Sequence, residues 1–179
     1  GADQQLYLPT VSLQGQFDPL SCYDVSYTGS QQVYLYANAC YSSLTLGGHV
    51  EFLPAPGERL VKVFVHKLTI EGNATVGKPG EPGQLLMVVL PIAGAAGTPQ
   101  AQIKGSTTFY GTLYAQDSEV HIGGANETWL YGSAVANHTR LTFSNGAHLI
   151  WDKAVANLAV PDGSLLTVKP WEKSQVHAI

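Results

Sequence analysis

Four acidic residues have the type, and two of them the spacing, to break a glycosidic bond. Asp117 and Glu119 are two apart, Glu127 follows in the next loop, and Asp152 comes later. Sugar hydrolysis needs one carboxyl to protonate the leaving oxygen and a second to act as base or nucleophile. Residues two apart on a strand share a face, so Asp117 and Glu119 meet the first requirement of such a site. Spacing alone does not make a site, however, and the four are expected to be solvated corners, with no catalytic role.

The other reactive types carry less. Six histidines, at 49, 66, 121, 138, 148 and 177, show no metal-ligand spacing, and His121 sits between two apolar neighbours that should face inward. No metal and no cofactor are expected. Cys22 and Cys40 lack a CxxC arrangement or a neighbouring HxxxH, which excludes a tetrahedral zinc site. They are expected to form a disulfide in an oxidising compartment, worth about 3 kcal/mol by chain entropy. No GxSxG elbow is present. Asn73, Asn126 and Asn137 open Asn-x-Ser/Thr sequons, which chance explains in a chain rich in Asn and Thr.

Aromatic residues are the better candidates for binding. Tyr110, Tyr114, Trp129 and Tyr131 could stack on sugars, single-stranded bases or a protein surface wherever they face outward. Phe109 and Leu130 should point inward, leaving Tyr110 and Tyr131 outside as a stacked pair.

The elements that would position these residues are strands. Only 12% of the 179 residues are charged, about half the share usual in globular domains, so the backbone must satisfy itself in sheet. A net charge of −4, with no run of Lys or Arg, argues against a general nucleic-acid binder. The longest apolar stretch, Leu85–Leu90, is far too short for a membrane helix.

A unit of apolar, any, apolar, any, glycine recurs. It starts at Leu44, Leu68, Ala101 and Val120, and a last copy at Leu141 carries Asn145 where the others have glycine. The steps are 24, 33, 19 and 21 residues. Asn is the residue that best replaces glycine at positive φ, so Asn145 is expected to turn that corner. Phe109–Ala115 and Leu130–Ala136 match as well, and Gly111 and Gly132 are 21 apart, in phase with Val120 and Leu141.

Stacked repeats with occasional insertions give this pattern. The expected fold is all-β: a β-solenoid resembling a parallel β-helix, in one domain over 1–179, with non-repeating caps at both ends. Rungs span 43–156, an N-terminal cap 1–42 and a C-terminal cap 157–179. Leu46, Ile70, Ile103, Ile122 and Phe143 should form one inward column, and Leu44, Leu68, Ala101, Val120 and Leu141 its neighbour. Gln84–Leu90 should be a buried strand, and Pro91–Pro99 and Pro161–Gly163 turns or loops.

Val61–Val155 resembles the extracellular β-solenoid domain of bacterial PilX-type pilus-assembly proteins and large minor pilins, the ComZ-type competence pilins among them. The likeness rests on Lys67–Ala74, Phe109–Ala115, Leu130–Ala136 and Ile150–Ala154, with Trp151 and Lys153 departing from the Tyr-Asp-Glu-Ala pattern of that family. The resemblance implies a non-catalytic component of a type IV pilus, extracellular and at or near the filament tip. Its partners would be other pilus subunits, with adhesion to a surface glycan or capture of extracellular DNA for transformation as its work. The hydrophobic pilin helix that anchors that family to the membrane is missing from this chain, and residues 1–42 would then be an end cap or a remnant of the pilin sheet. Two further expectations stand beside it: a carbohydrate-active or carbohydrate-binding β-helix, and a scaffold that self-associates end to end.

Overall fold

Short alternating strands with glycine between them close into coils rather than hairpins, because each unit meets its next copy in the same direction. A computed structural model describes residues 22–92, 99–137, 141–155, 157–159 and 165–167. Within them the chain is all-β, a parallel β-solenoid of about six turns with almost no helix.

Three ladders of parallel strands run along the stack. The first joins β1 (Tyr23–Tyr27), β3 (Ala39–Leu46), β5 (Val61–Ile70), β8 (Ala101–Ile103), β10 (Val120–Ile122) and β12 (Leu141–Phe143). The second joins β2 (Ser30–Leu35), β4 (His49–Pro54), β6 (Thr75–Val76), the leading halves of β9 (Thr108–Gln116) and β11 (Thr128–Asn137), and β13 (Ala147–Trp151). The third runs from the leading halves of β3 and β5 through β7 (Leu85–Val89) to the trailing halves of β9 and β11. Apart from these, β14 (Asn157–Ala159) and β15 (Leu165–Thr167) pair antiparallel.

Both expected columns are present on the first ladder. Leu46 pairs with Ile70, Ile70 with Ile103, Ile103 with Ile122, and Ile122 with Phe143. Leu44, Leu68, Ala101, Val120 and Leu141 follow the same register two residues earlier. Leu46, Ile70, Ile103 and Ile122 are fully buried. Each such aliphatic contributes about 1.5–3 kcal/mol relative to exposure. Inside the second ladder, buried Thr107 and Thr128 donate to the Lys104 and Gly105 carbonyls at 2.8 Å, so neither hydroxyl loses its partner.

Two expectations need correcting. Residues 1–42 do not lie wholly outside the repeat. Residues 1–21 fall outside the described residues, but Val25–Gly29 is another copy of the unit, 19 residues before Leu44. Val25 pairs with Leu44 and Tyr27 with Leu46, so β1 and β2 are a first coil rather than a cap. Tyr27 fills an inward place that the next four copies give to an aliphatic. Next, Asn145 does not turn its corner at positive φ. Gly146 does, at φ 78°, and among the described residues Asp117 (φ 48°) is the one non-glycine in that region. The turn slips by one residue to reach a glycine, which adopts that conformation without steric cost.

The third ladder is buried on both sides. Its inner residues join the main core. Its outer column, Cys40, Phe64, Val88 and Tyr114, forms a second apolar cluster with Leu86, Leu90 and Val155. Val155 belongs to a 3₁₀ turn, Lys153–Val155, and a second such turn, Pro82–Gln84, packs close to it at Gly83 and Ala154. As expected, Leu85–Val89 is a strand, and all five of its residues are buried. Of the expected C-terminal cap, only β14 and β15 fall among the described residues. The Pro161–Gly163 turn lies outside them.

Candidate functional site

Successive coils place like residues above one another, so outward side chains line up along the stack. On the second ladder this brings three of the four expected binding residues together. Tyr110 pairs with Tyr131, and their rings stack at 5.0 Å with planes 11° apart. Burial raises the Tyr110 phenol above its ordinary range, and the neighbouring Tyr131 adds to the effect. Trp129, two residues before Tyr131, lies over His148 of the next coil at 4.0 Å and 12°. Half-exposed Ile150 pairs with Tyr131 and extends the strip.

The strip has a consequence for chemistry. The Tyr110 and Tyr131 rings cover each other, as do Trp129 and His148, so each ring has given up one face. What remains is at most one face of each ring, with the ring edges, the hydroxyls and the Ile150 side chain. His148 was not among the expected residues. Its signal is the 19-residue step from Trp129, the same step that separates Ala101 from Val120.

Tyr114 does not join them. It sits on the third ladder, is fully buried in the outer cluster and offers no ring to a ligand. Its place in the sequence matches that of Val135, its register partner, and both face outward under covering turns.

The four carboxylates are not gathered. Asp117 and Glu119 lie at the corner between the third and first ladders, Glu127 between the first and second, and Asp152 after β13. Glu119 pairs with His121 at 2.7 Å, Glu127 stands 3.9 Å from His148, and Asp152 accepts a hydrogen bond from the Ala154 amide at 2.8 Å. Among the described residues, no three His, Cys, Asp or Glu side chains converge as a metal site would require.

One open groove of about 400 Å³ follows the corner between the first two ladders, where Gly48, Gly72 and Gly105 stack. The Glu71–Lys104 ion pair, at 3.3 Å, stands on its wall. A Cβ at Gly72 or Gly105 would lie 2.7 Å from the backbone of the coil beneath, so close stacking alone accounts for these glycines.

Cys22 and Cys40 form the expected disulfide. Such bonds persist in oxidising compartments. No helix among the described residues is long and apolar enough to cross a membrane.

No curated protein and no solved structure matches the chain. One family model does, over residues 42–158, from within β3 to within β14. That is well over half of the chain, and it covers every coil after the first. The chain therefore belongs to the family described as a domain of unknown function, DUF7305.

Proposed function

We propose that this chain is a non-catalytic adhesive module displayed outside the cell, as part of a type IV pilus or a similar surface assembly. The observation that carries the proposal is the unbroken register of the second ladder. It lines Tyr110, Trp129, Tyr131, His148 and Ile150 along one rigid outer strip. The resemblance to large minor pilins supports the setting, and its segments Phe109–Ala115 and Leu130–Ala136 are successive coils of this same strip. The disulfide fits an extracellular position.

The strip favours an uncharged partner over DNA. Lys104 is engaged by Glu71 and Lys78 by Glu81, and the chain is acidic overall. Phosphate binding needs clustered free cations.

Labelling intact cells of the source organism with an antibody to the purified domain tests the setting. Label on surface filaments of unpermeabilised cells is expected. Label that requires permeabilisation would overturn the proposal.

A further inference from the structure

We propose a saccharide-binding site on the first coil, built from Gln32, Tyr34, Tyr36 and Glu51. It rests on the adhesive role above and names a ligand class for it. Five large hydrophobic side chains stand exposed among the described residues, and three are tyrosines of this coil: Tyr23 at 57%, Tyr34 at 40% and Tyr36 at 71%. A single exposed tyrosine needs no explanation, but a rigid pair beside polar groups does.

The Tyr34 and Tyr36 rings lie 6.5 Å apart and are inclined by 57°. At that tilt they do not cover each other as Tyr110 and Tyr131 do, so ring faces are left for a ligand. Gln32 and Tyr34 share the outer side of β2. The Tyr34 hydroxyl donates to Gln32 Oε1 at 3.2 Å, and Gln32 Nε2 donates to the Glu51 carboxylate. Aromatic surface therefore adjoins an amide and a carboxylate that are linked in a chain.

A pyranose ring has two chemistries to match. Its CH face is apolar and lies on an aromatic ring, while its rim of hydroxyls donates and accepts hydrogen bonds. The tyrosines suit the first, and Gln32 and Glu51 the second. A polyanion would be repelled by Glu51. A wholly apolar partner would desolvate Gln32 and Glu51 without repayment. The fitting class is a neutral β-linked oligosaccharide, whose equatorial hydroxyls leave the CH faces flat.

The site is held before any ligand arrives. The Ala55 amide donates to the Leu35 carbonyl at 2.8 Å, and the Lys62 amide donates to Asn38 Oδ1 at 2.9 Å, on either side of Tyr36. The Cys22–Cys40 bridge closes the loop that contains both tyrosines. Less ordering entropy then remains to be lost on binding.

The test titrates cellotetraose and chitotetraose into the oxidised full chain, with NMR to locate binding and calorimetry to measure it. Shifts at Gln32, Tyr34, Tyr36 and Glu51 are expected with at least one sugar. Tyr34→Ala and Tyr36→Ala should each weaken binding about tenfold, while Ile92→Ala, at another exposed apolar side chain, should not. Circular dichroism should match the parent, since both tyrosine side chains are exposed. The site is overturned if neither sugar shifts these residues at millimolar concentration, or if affinity survives the Tyr34→Ala/Tyr36→Ala double variant. Binding lost instead in Trp129→Ala would also overturn it and leave the adhesive role standing. Failure of surface labelling would sink that role without altering the titration.

Discussion

Gly132 rests directly on Gly111 of the coil beneath: a Cβ at Gly132 would stand 2.0 Å from the Gly111 carbonyl oxygen. Gly132 also has φ of 134°, a region that other residues rarely enter. The two constraints act together where β11 leaves the second ladder for the third. Gly132→Ala should therefore cost roughly 3 kcal/mol or more, within the range of clash and backbone strain combined. Urea unfolding measures it. A variant as stable as the parent would show that the coils do not pack this closely.

Tyr114 and Tyr131 look alike in the sequence but should respond differently. Tyr114→Ala empties a fully buried site and should cost about 3–5 kcal/mol. Tyr131→Ala removes one half-buried stacking partner, worth about 0.5–1.5 kcal/mol. Equal losses in thermal melts would refute the assignment of Tyr114 to the outer cluster.

Reduction of Cys22–Cys40 should lower stability by about 3 kcal/mol. The loss should also be local. The bridge encloses β1 and β2, whose inward Val25, Tyr27 and Val33 are only half-buried. Hydrogen exchange in dithiothreitol should accelerate over β1 and β2 and stay slow in β5, β7 and β9. Uniform acceleration would mean that the first coil does not open separately.

Alkali should destabilise the fold through two tyrosines. Burial is the main cause that raises the Tyr41 phenol well above its ordinary range, with Tyr23 and Tyr27 adding to it, and Tyr110 is raised in the same sense. A folded-state pKa above the unfolded value gives stability that is fully present below about pH 10 and is lost as pH rises through the folded pKa. Absorbance at the phenolate band should show tyrosines that ionise late, and Tyr41→Phe should soften the fall in melting temperature. A melting temperature that stays flat above pH 10 would count against both shifts.

Mobility-shift assays with duplex DNA should show no complex at physiological salt, given the acidic chain and the engaged Lys78 and Lys104. A complex that weakens steeply as salt rises would restore DNA as a partner.

The repeat was legible where its chemistry is simple. An aliphatic pair followed by glycine marks Leu44, Leu68, Ala101 and Val120, because alternation and a left-handed corner leave a pattern that survives insertions. Val25–Gly29 obeys the same rule, but Tyr27 hides it. The outward stack of Tyr110 on Tyr131 followed from the inward Phe109 and Leu130. The burial of Tyr114 did not follow, because its cover includes Val155, which lies outside the repeating unit. The warning sign was Leu85–Val89, an apolar run without alternation, as expected of a strand covered on both faces. The tilted pair Tyr34 and Tyr36 lay in the stretch expected to be a cap.

The steps between coils differ by up to 14 residues, yet the register of the stack is kept. Extra length leaves at the corners, as at exposed Lys78, Pro79 and Gly80, and returns without moving the columns inside. Foreign peptides grafted between Pro79 and Gly80 would be carried on the rim of an unchanged core. A lineage could therefore exchange what it shows to its surroundings there while the fold beneath stays constant.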